Sequence, residues 1–167
     1  MNRGAPVVLF AVACGTPTGP PAGTADVRLA LRGSRDTMQF EVPVVAQRCA
    51  AGRGLLLHGA REGLGVLVWL RGGSEAVPDT GTYPLLPRGD SASPRGAIAA
   101  VRFLVGEVAH GLTLDDGTAI VTRATAPFTV QARGMGVETV IAQQRTAVLL
   151  LERVPLLPDT VSCQAQP

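Results

Sequence analysis

The sequence predicts an all-β protein, a single antiparallel β-sandwich or partly open barrel of about nine or ten short strands. Three observations support this. Apolar and polar residues alternate with a period of two, amphipathic helical spacing is almost absent, and turn residues recur about every eight to twelve positions. Of the 167 residues, 46% are hydrophobic but only 4% are aromatic, so we expect a core of Val, Leu, Ala and Ile.

Alternation predicts a first strand whose apolar face is Val27, Leu29 and Leu31. A turn at Gly33-Ser34 then joins it to a second strand. The apolar face of this second strand is Met38, Phe40 and Val42. Pro43 ends or kinks the second strand, and residues 44–49 continue it around a corner.

Two continuous apolar runs, residues 55–57 and 64–70, are too short for buried helices and predict central strands. The inward face of the following strand is predicted to be Ala99, Val101, Phe103 and Val105. The dipeptide Asp116-Gly117 predicts that residues 112–121 form a hairpin.

The last two predicted strands contain the alternating residues Phe128, Val130 and Ala132, followed by residues 146–154. Pro155 and Pro158 should then halt pairing before the tail reaches Cys163. We also expect Glu138, Arg133, Arg123 and Arg102 to face outward, as a polar network or simply as a solvated sheet face.

One long connection, residues 72–96, is rich in Gly, Pro, Ser and Asp, with a short extended piece at residues 83–86. Long loops on a rigid scaffold often carry function. The candidate interaction residues in this loop are Asp79, Tyr83, Arg88 and Asp90.

Two tripeptides in this loop match known motifs. Asp79-Thr80-Gly81 matches the catalytic tripeptide of aspartic proteases, but Pro78 and Thr82 flank it and the chain has no second copy. An Asx-type turn leading into Tyr83 explains it better. Arg88-Gly89-Asp90 matches the adhesion tripeptide recognised by integrins, a match short enough to arise by chance.

Charge and motif content restrict the function classes. All fifteen basic residues are Arg, spread evenly and offset by thirteen acids, so we expect no nucleic-acid partner. His58 and His110 have no acidic or Cys neighbours at metal-ligand spacing, and Asp115-Asp116 suits a turn better than a Ca²⁺ site. We therefore predict no metal, no cofactor and no catalytic residues.

The N-terminus carries the most specific signal in the chain. Arg3 precedes an apolar run, residues 5–13, which is too short to cross a bilayer and ends at Ala11-Val12-Ala13-Cys14. This segment resembles the signal peptide and lipobox of bacterial lipoproteins, although Ala11 stands where that family usually has Leu. The resemblance implies cleavage before Cys14 and acylation of Cys14. The alternatives are an ordinary secretory signal and a buried N-terminal strand with a chance cysteine.

The resemblance implies a domain organisation and a location. Residues 1–13 form the signal peptide, residues 14–25 the lipidated cysteine and a flexible tether rich in Pro, Gly and Thr, and residues 26–167 the β-domain. The location implied is the bacterial envelope, at the outer membrane or facing the periplasm. A secreted protein remains the alternative.

Three cysteines leave one possible pair, Cys49 and Cys163, if Cys14 carries the lipid. Disulfides persist in an exported protein, so we predict this bridge, with two free buried thiols as the alternative.

These observations favour a non-catalytic accessory or interaction module that is held at the membrane by its lipid and binds an envelope protein. A hydrolase of envelope polymers is the alternative from another class, and a carrier of a small ligand or lipid is the third.

Overall fold

The computed structural model describes residues 22–31, 37–50, 54–73, 77–90 and 92–163. The predicted signal peptide, Cys14, the Gly33-Ser34 turn and Ser91 lie outside these ranges. The strands are β1 (Gly23–Leu31), β2 (Thr37–Cys49), β3 (Leu55–Arg61), β4 (Leu64–Gly72), β5 (Gly81–Pro84), β6 (Arg95–Val105), β7 (Val108–Leu114), β8 (Asp116–Arg123), β9 (Phe128–Val137), β10 (Gln144–Val154) and β11 (Leu156–Val161).

The strands confirm the all-β prediction and form one strongly curled sheet, a half-barrel. Their order is β5-β8-β9-β10-β1-β2-β3-β4-β6-β7, and every neighbouring pair in it is antiparallel. β11 lies beside β2 and is parallel to it. No helix among the described residues has the length and apolar character needed to span a bilayer.

β2 joins the two halves of the curled sheet. Its first part pairs with β1 as far as Val44, and from Val45 onward it pairs with β3. Pro43 lies at this change of partner, which is where the sequence predicts a corner. We call β5, β8, β9, β10, β1 and the start of β2 the first half-sheet. The end of β2 with β3, β4, β6, β7 and β11 is the second half-sheet.

Alternate residues of both half-sheets point into one apolar core. The largest fully buried apolar side chains include Tyr83, Phe103, Phe128, Leu29, Leu57, Leu112 and Leu149. This core contains Val27 and Leu29 of β1, the predicted inward face of β9, and the predicted inward face of β6 except Val105. The side chain of Leu31 lies outside the described part of the structure. Val105 is 45% exposed because it lies at the turn into β7, beyond the covered part of the strand.

β1 begins at Gly23, three residues before the predicted domain boundary at Asp26. Gly23 and Thr24 are already paired with β2, and Thr24 also pairs with β10. Ala25 is completely buried. These contacts on both sides give the start of β1 the pairing and burial of a central strand.

The predicted hairpin over residues 112–121 is wrong. β7 pairs with β6, whereas β8 pairs with β9 and β5, so Asp115 carries the chain from one half-sheet to the other. Gly117 has a φ of 134°, and a Cβ there would lie 2.2 Å from the backbone oxygen of Arg133. The glycine is therefore needed for a close strand approach rather than for a hairpin turn.

The prediction that Pro155 and Pro158 halt pairing is also wrong. The chain continues into β11, which pairs with β2 at Leu156, Thr160 and Val161. The register shifts between Leu156 and Thr160, so Pro158 falls where no ladder hydrogen bond is required of it.

β9 crosses β7 closely and draws the curled sheet together. Leu112 and Glu138 form an isolated antiparallel bridge, and the amide of Thr139 donates to the carbonyl of Gly111. A Cβ on Gly136 would lie 1.7 Å from the backbone oxygen of Thr113. The two backbones can approach this closely only because residue 136 has no side chain.

Candidate functional site

The outer face of the second half-sheet carries its own apolar cluster. Leu56, Leu67, Trp69 and Ile98 alternate with core residues, so they project from the opposite side of the sheet. They pack with Cys49, Cys163 and Val161. A sheet face that is solvated in most antiparallel sheets is here apolar, which makes it the candidate site.

A groove of about 420 Å³ runs over this cluster. Its lining residues are Leu56, Leu67, Trp69, Ile98, Ala100, Thr113, Arg88, Gly89, Ser162 and Cys163. The strands supply the floor, the long loop supplies the wall at Arg88, and the C-terminal tail supplies the wall at Cys163. The volume lies within the range of ligand-binding clefts.

A second depression of about 320 Å³ adjoins the groove and shares Leu67 and Ala100 with it. Small residues line it, namely Gly59, Ala60 and Gly65, with His58 and Arg102 among its other lining residues. Because Ala60 and Gly65 project little from this face, another chain can approach the sheet backbone closely here. We call the two depressions together the outer groove.

The loop wall of the outer groove is held by Asp90. Its carboxylate accepts hydrogen bonds from the amides of Ala92 and Ser93 and from the Ser93 hydroxyl. The bonds from Ser93 lower the pKa of Asp90 from its ordinary value, and burial opposes them only in part. Arg71 also donates to the Asp90 carbonyl at 2.9 Å, and its guanidinium stacks over Trp69 at 5.3 Å.

The opposite wall is held by a disulfide between Cys49 and Cys163, which confirms the predicted bridge. The two Cα atoms are 5.3 Å apart, and 114 positions separate the cysteines in the sequence. The bridge ties the end of the described chain to β2 beside Trp69.

The four predicted interaction residues occupy different places. Arg88 lines the outer groove, whereas Asp90 supports its wall. Tyr83 is 1% exposed, its hydroxyl donates to the carbonyl of Asp79 at 2.8 Å, and the Arg95 guanidinium stacks over its ring at 4.7 Å. Asp79 lies in another depression.

That depression, of about 520 Å³, lies between the long loop and the start of β9. Its lining residues are Arg48, Val77, Pro78, Asp79, Ala124, Thr125, Ala126, Phe128 and Leu156. The side chains of Asp79, His58 and His110 therefore lie in three separate environments, since His58 lines the outer groove and His110 is buried.

A buried ionic network joins β7, β9 and β10, and the sequence did not predict it. Glu138, expected to face outward, is 1% exposed and contacts His110 and Arg145 through its two carboxylate oxygens. Burial raises the pKa of Glu138, but the hydrogen bonds and charges of Arg145 and His110 outweigh it and lower the pKa. Phe103 packs on both partners, at 5.4 Å from His110 and 5.2 Å from Arg145.

This network has the geometry of a structural support. It is closed off by Phe103, and the amide of Glu138 donates to Gln143 while its carbonyl accepts from Ala142. His58 is likewise engaged, with its Nε2 2.8 Å from the Oε1 of Gln47. Among the described residues, no group of three or more His, Cys, Asp or Glu residues is arranged so that it could hold a metal ion.

Comparison with known proteins found no matching family model, no matching curated protein and no matching solved structure.

Proposed function

We propose that this protein is a lipid-anchored envelope protein that acts without catalysis, as an accessory module that binds a segment of an envelope protein. One observation carries the binding part of the proposal. The outer face of the second half-sheet carries an apolar groove. One wall, the long loop, is stabilised by the hydrogen bonds of Asp90, and the other, the C-terminal tail, is held by the disulfide. Preformed walls lower the ordering cost of binding.

The proposed anchoring at the membrane is based on the sequence of the N-terminus. Residues 5–13 and Cys14 resemble a signal peptide with its lipobox. Eight residues lie between Cys14 and Gly23, a reach of at most about 32 Å. In a lipidated chain, the end of the half-barrel at which β1 begins would therefore stay close to the bilayer.

Mass spectrometry of the membrane-extracted protein tests the anchor. We expect a mature chain that begins at Cys14 and carries a diacylglycerol, and we expect the Cys14→Ser variant to leave the membrane fraction. A Cys14→Ser variant that fractionates like the native protein would refute the anchor.

Site-specific photo-crosslinking in the producing bacterium tests the binding site. A photoreactive residue replaces Ala100 in the outer groove or, as a control, Gln131, which is exposed on β9 of the first half-sheet. We expect a discrete adduct with one envelope protein from position 100, its crosslink mapping to one segment of that protein, and no such adduct from position 131. Identical adduct patterns from both positions would contradict the proposal.

A further inference from the structure

We infer that the outer groove recognises an extended segment in which apolar side chains alternate with carboxylates. This inference rests on the proposed function and adds the chemistry of the partner. Its basis is the charge of the groove. Among the described residues, those that line one or other of the two depressions include Arg88, Arg102 and His58 but neither Asp nor Glu.

The two arginines are available to a partner. Both are exposed residues, and neither guanidinium has a carboxylate within ion-pair distance in the described part of the chain. Asp115 binds the backbone amide of Arg88 and not its guanidinium. Each arginine therefore offers an uncompensated cation beside an apolar floor, and a carboxylate complements it through paired hydrogen bonds.

The length of β6 between the two depressions suits an extended chain. Arg102 lies on β6 four positions after Ile98, and Ile98 lines the same groove as Arg88. Four residues of a strand span about 13 Å. In an extended partner, residues i, i+2 and i+4 face the same side, so two carboxylates can bracket one apolar side chain over Leu67 and Ala100.

The floor also favours a polypeptide. Ala60 and Gly65 allow close backbone approach, and the hydroxyl-bearing residues Thr113 and Ser162 are among the lining residues. A peptide presents amides and carbonyls that can bond to such hydroxyls, whereas an acyl chain does not.

Trp69 provides the measurement, because it is the single tryptophan of the chain and lines the groove. Its fluorescence is followed while the mature protein is titrated with capped nine-residue peptides. The first peptide has a central leucine with a glutamate two positions away on each side and serine elsewhere. In the second, lysine replaces both glutamates, and in the third serine replaces the leucine.

We expect the first peptide to bind about tenfold more tightly than the second, since each rim pair contributes a few-fold. The leucine-free peptide should bind more weakly than the first. In the Arg88→Glu, Arg102→Glu double variant the order of the glutamate and lysine peptides should reverse. Both residues are exposed, and an unchanged thermal unfolding midpoint verifies that the variant is folded.

Three outcomes would overturn the inference. They are no fluorescence response to any peptide up to millimolar concentration, equal binding of the glutamate and lysine peptides, and tighter binding of dodecanoate than of the glutamate peptide. The last would assign the groove to an acyl chain. The crosslink at position 100 distinguishes the two proposals. If the native adduct persists in the double variant, the proposed function stands and the charge-based recognition fails.

Discussion

At the scale of single residues, the most informative side chain is Glu138, a charged group placed in the interior. Strand alternation explains its position. Glu138 is in phase with Phe128, Val130 and Ala132 of β9, and Arg145 is in phase with Ala147 of β10. Strand alternation therefore predicts an inward position for Glu138, whereas its charge predicts an outward one. The inward position is observed because Glu138, His110 and Arg145 satisfy one another's polar groups.

We predict that Glu138→Gln lowers the free energy of unfolding at pH 7 by about 3 kcal/mol, because it leaves the Arg145 charge buried without its counter-ion. Urea unfolding followed by circular dichroism measures the change. Glu152→Gln is the control, because Glu152 is exposed on β10, the strand that carries Arg145, and its loss should change stability by less than about 0.5 kcal/mol. Equal stability of the two variants would show that the network contributes nothing.

The same residue predicts the acid response. The pKa of Glu138 is lowered in the folded protein from its ordinary value of 4.5, so its contribution to stability is present above pH 4.5 and is lost as pH falls through the folded pKa. Native stability should therefore fall more steeply than that of Glu138→Gln as pH is lowered below 4.5. Parallel stability profiles in that range would argue against the lowered pKa.

At the scale of strands, the dipeptide Asp116-Gly117 is compatible with two structures, a local hairpin turn and a close contact between strands distant in the sequence. Asp116-Gly117 predicts a hairpin, but the chain passes from β7 to a strand of the other half-sheet instead. The amide of Asp115 donates to the carbonyl of Met135 on β9. Glycine satisfies both demands, a positive φ and a close backbone approach, so its presence alone does not distinguish them.

We predict that Gly136→Ala destabilises the protein by about 2–3 kcal/mol, since its Cβ would meet the backbone oxygen of Thr113 at 1.7 Å. The β7–β9 crossing would have to open to accept it. Gly65→Ala is the matched control in β4, because its Cβ would find its nearest neighbour at 3.4 Å. We expect the control to be neutral or slightly stabilising. Thermal unfolding compares the two variants. If Gly65→Ala destabilises the protein as much as Gly136→Ala does, the close approach of β7 and β9 does not specifically require a glycine at position 136.

At the scale of the whole molecule, the Cys49–Cys163 bridge closes the chain from β3 to β11 into one loop. It joins the end of β2, the strand shared by both half-sheets, to the tail that follows β11. The chain-entropy model predicts a large effect for a loop of this length. The bridge also lies in the outer cluster beside Trp69, so stability and the groove wall depend on the same contact.

We predict that Cys49→Ser, Cys163→Ser lowers the free energy of unfolding by about 4–5 kcal/mol, because the unfolded chain regains the entropy of an open loop. Urea unfolding of the oxidised native protein and the variant measures the difference. The native protein held in reductant should behave like the variant. A loss below about 1 kcal/mol would indicate that the unfolded chain is already restricted without the bridge.

The sequence by itself determined the β-class, the approximate positions of most strands and most inward faces, because alternation is a local property that a strand displays. It also predicted the disulfide between Cys49 and Cys163, on the expectation that Cys14 carries a lipid, and the structure contains that bridge. Only the tertiary structure decided that β7 and β8 belong to different half-sheets, that β11 joins β2, and that Glu138 finds Arg145 and His110. The outer groove belongs to this second group, because Arg88, Trp69 and Cys163 lie far apart in the chain. Which strands become neighbours depends on long-range packing, and no local pattern records it.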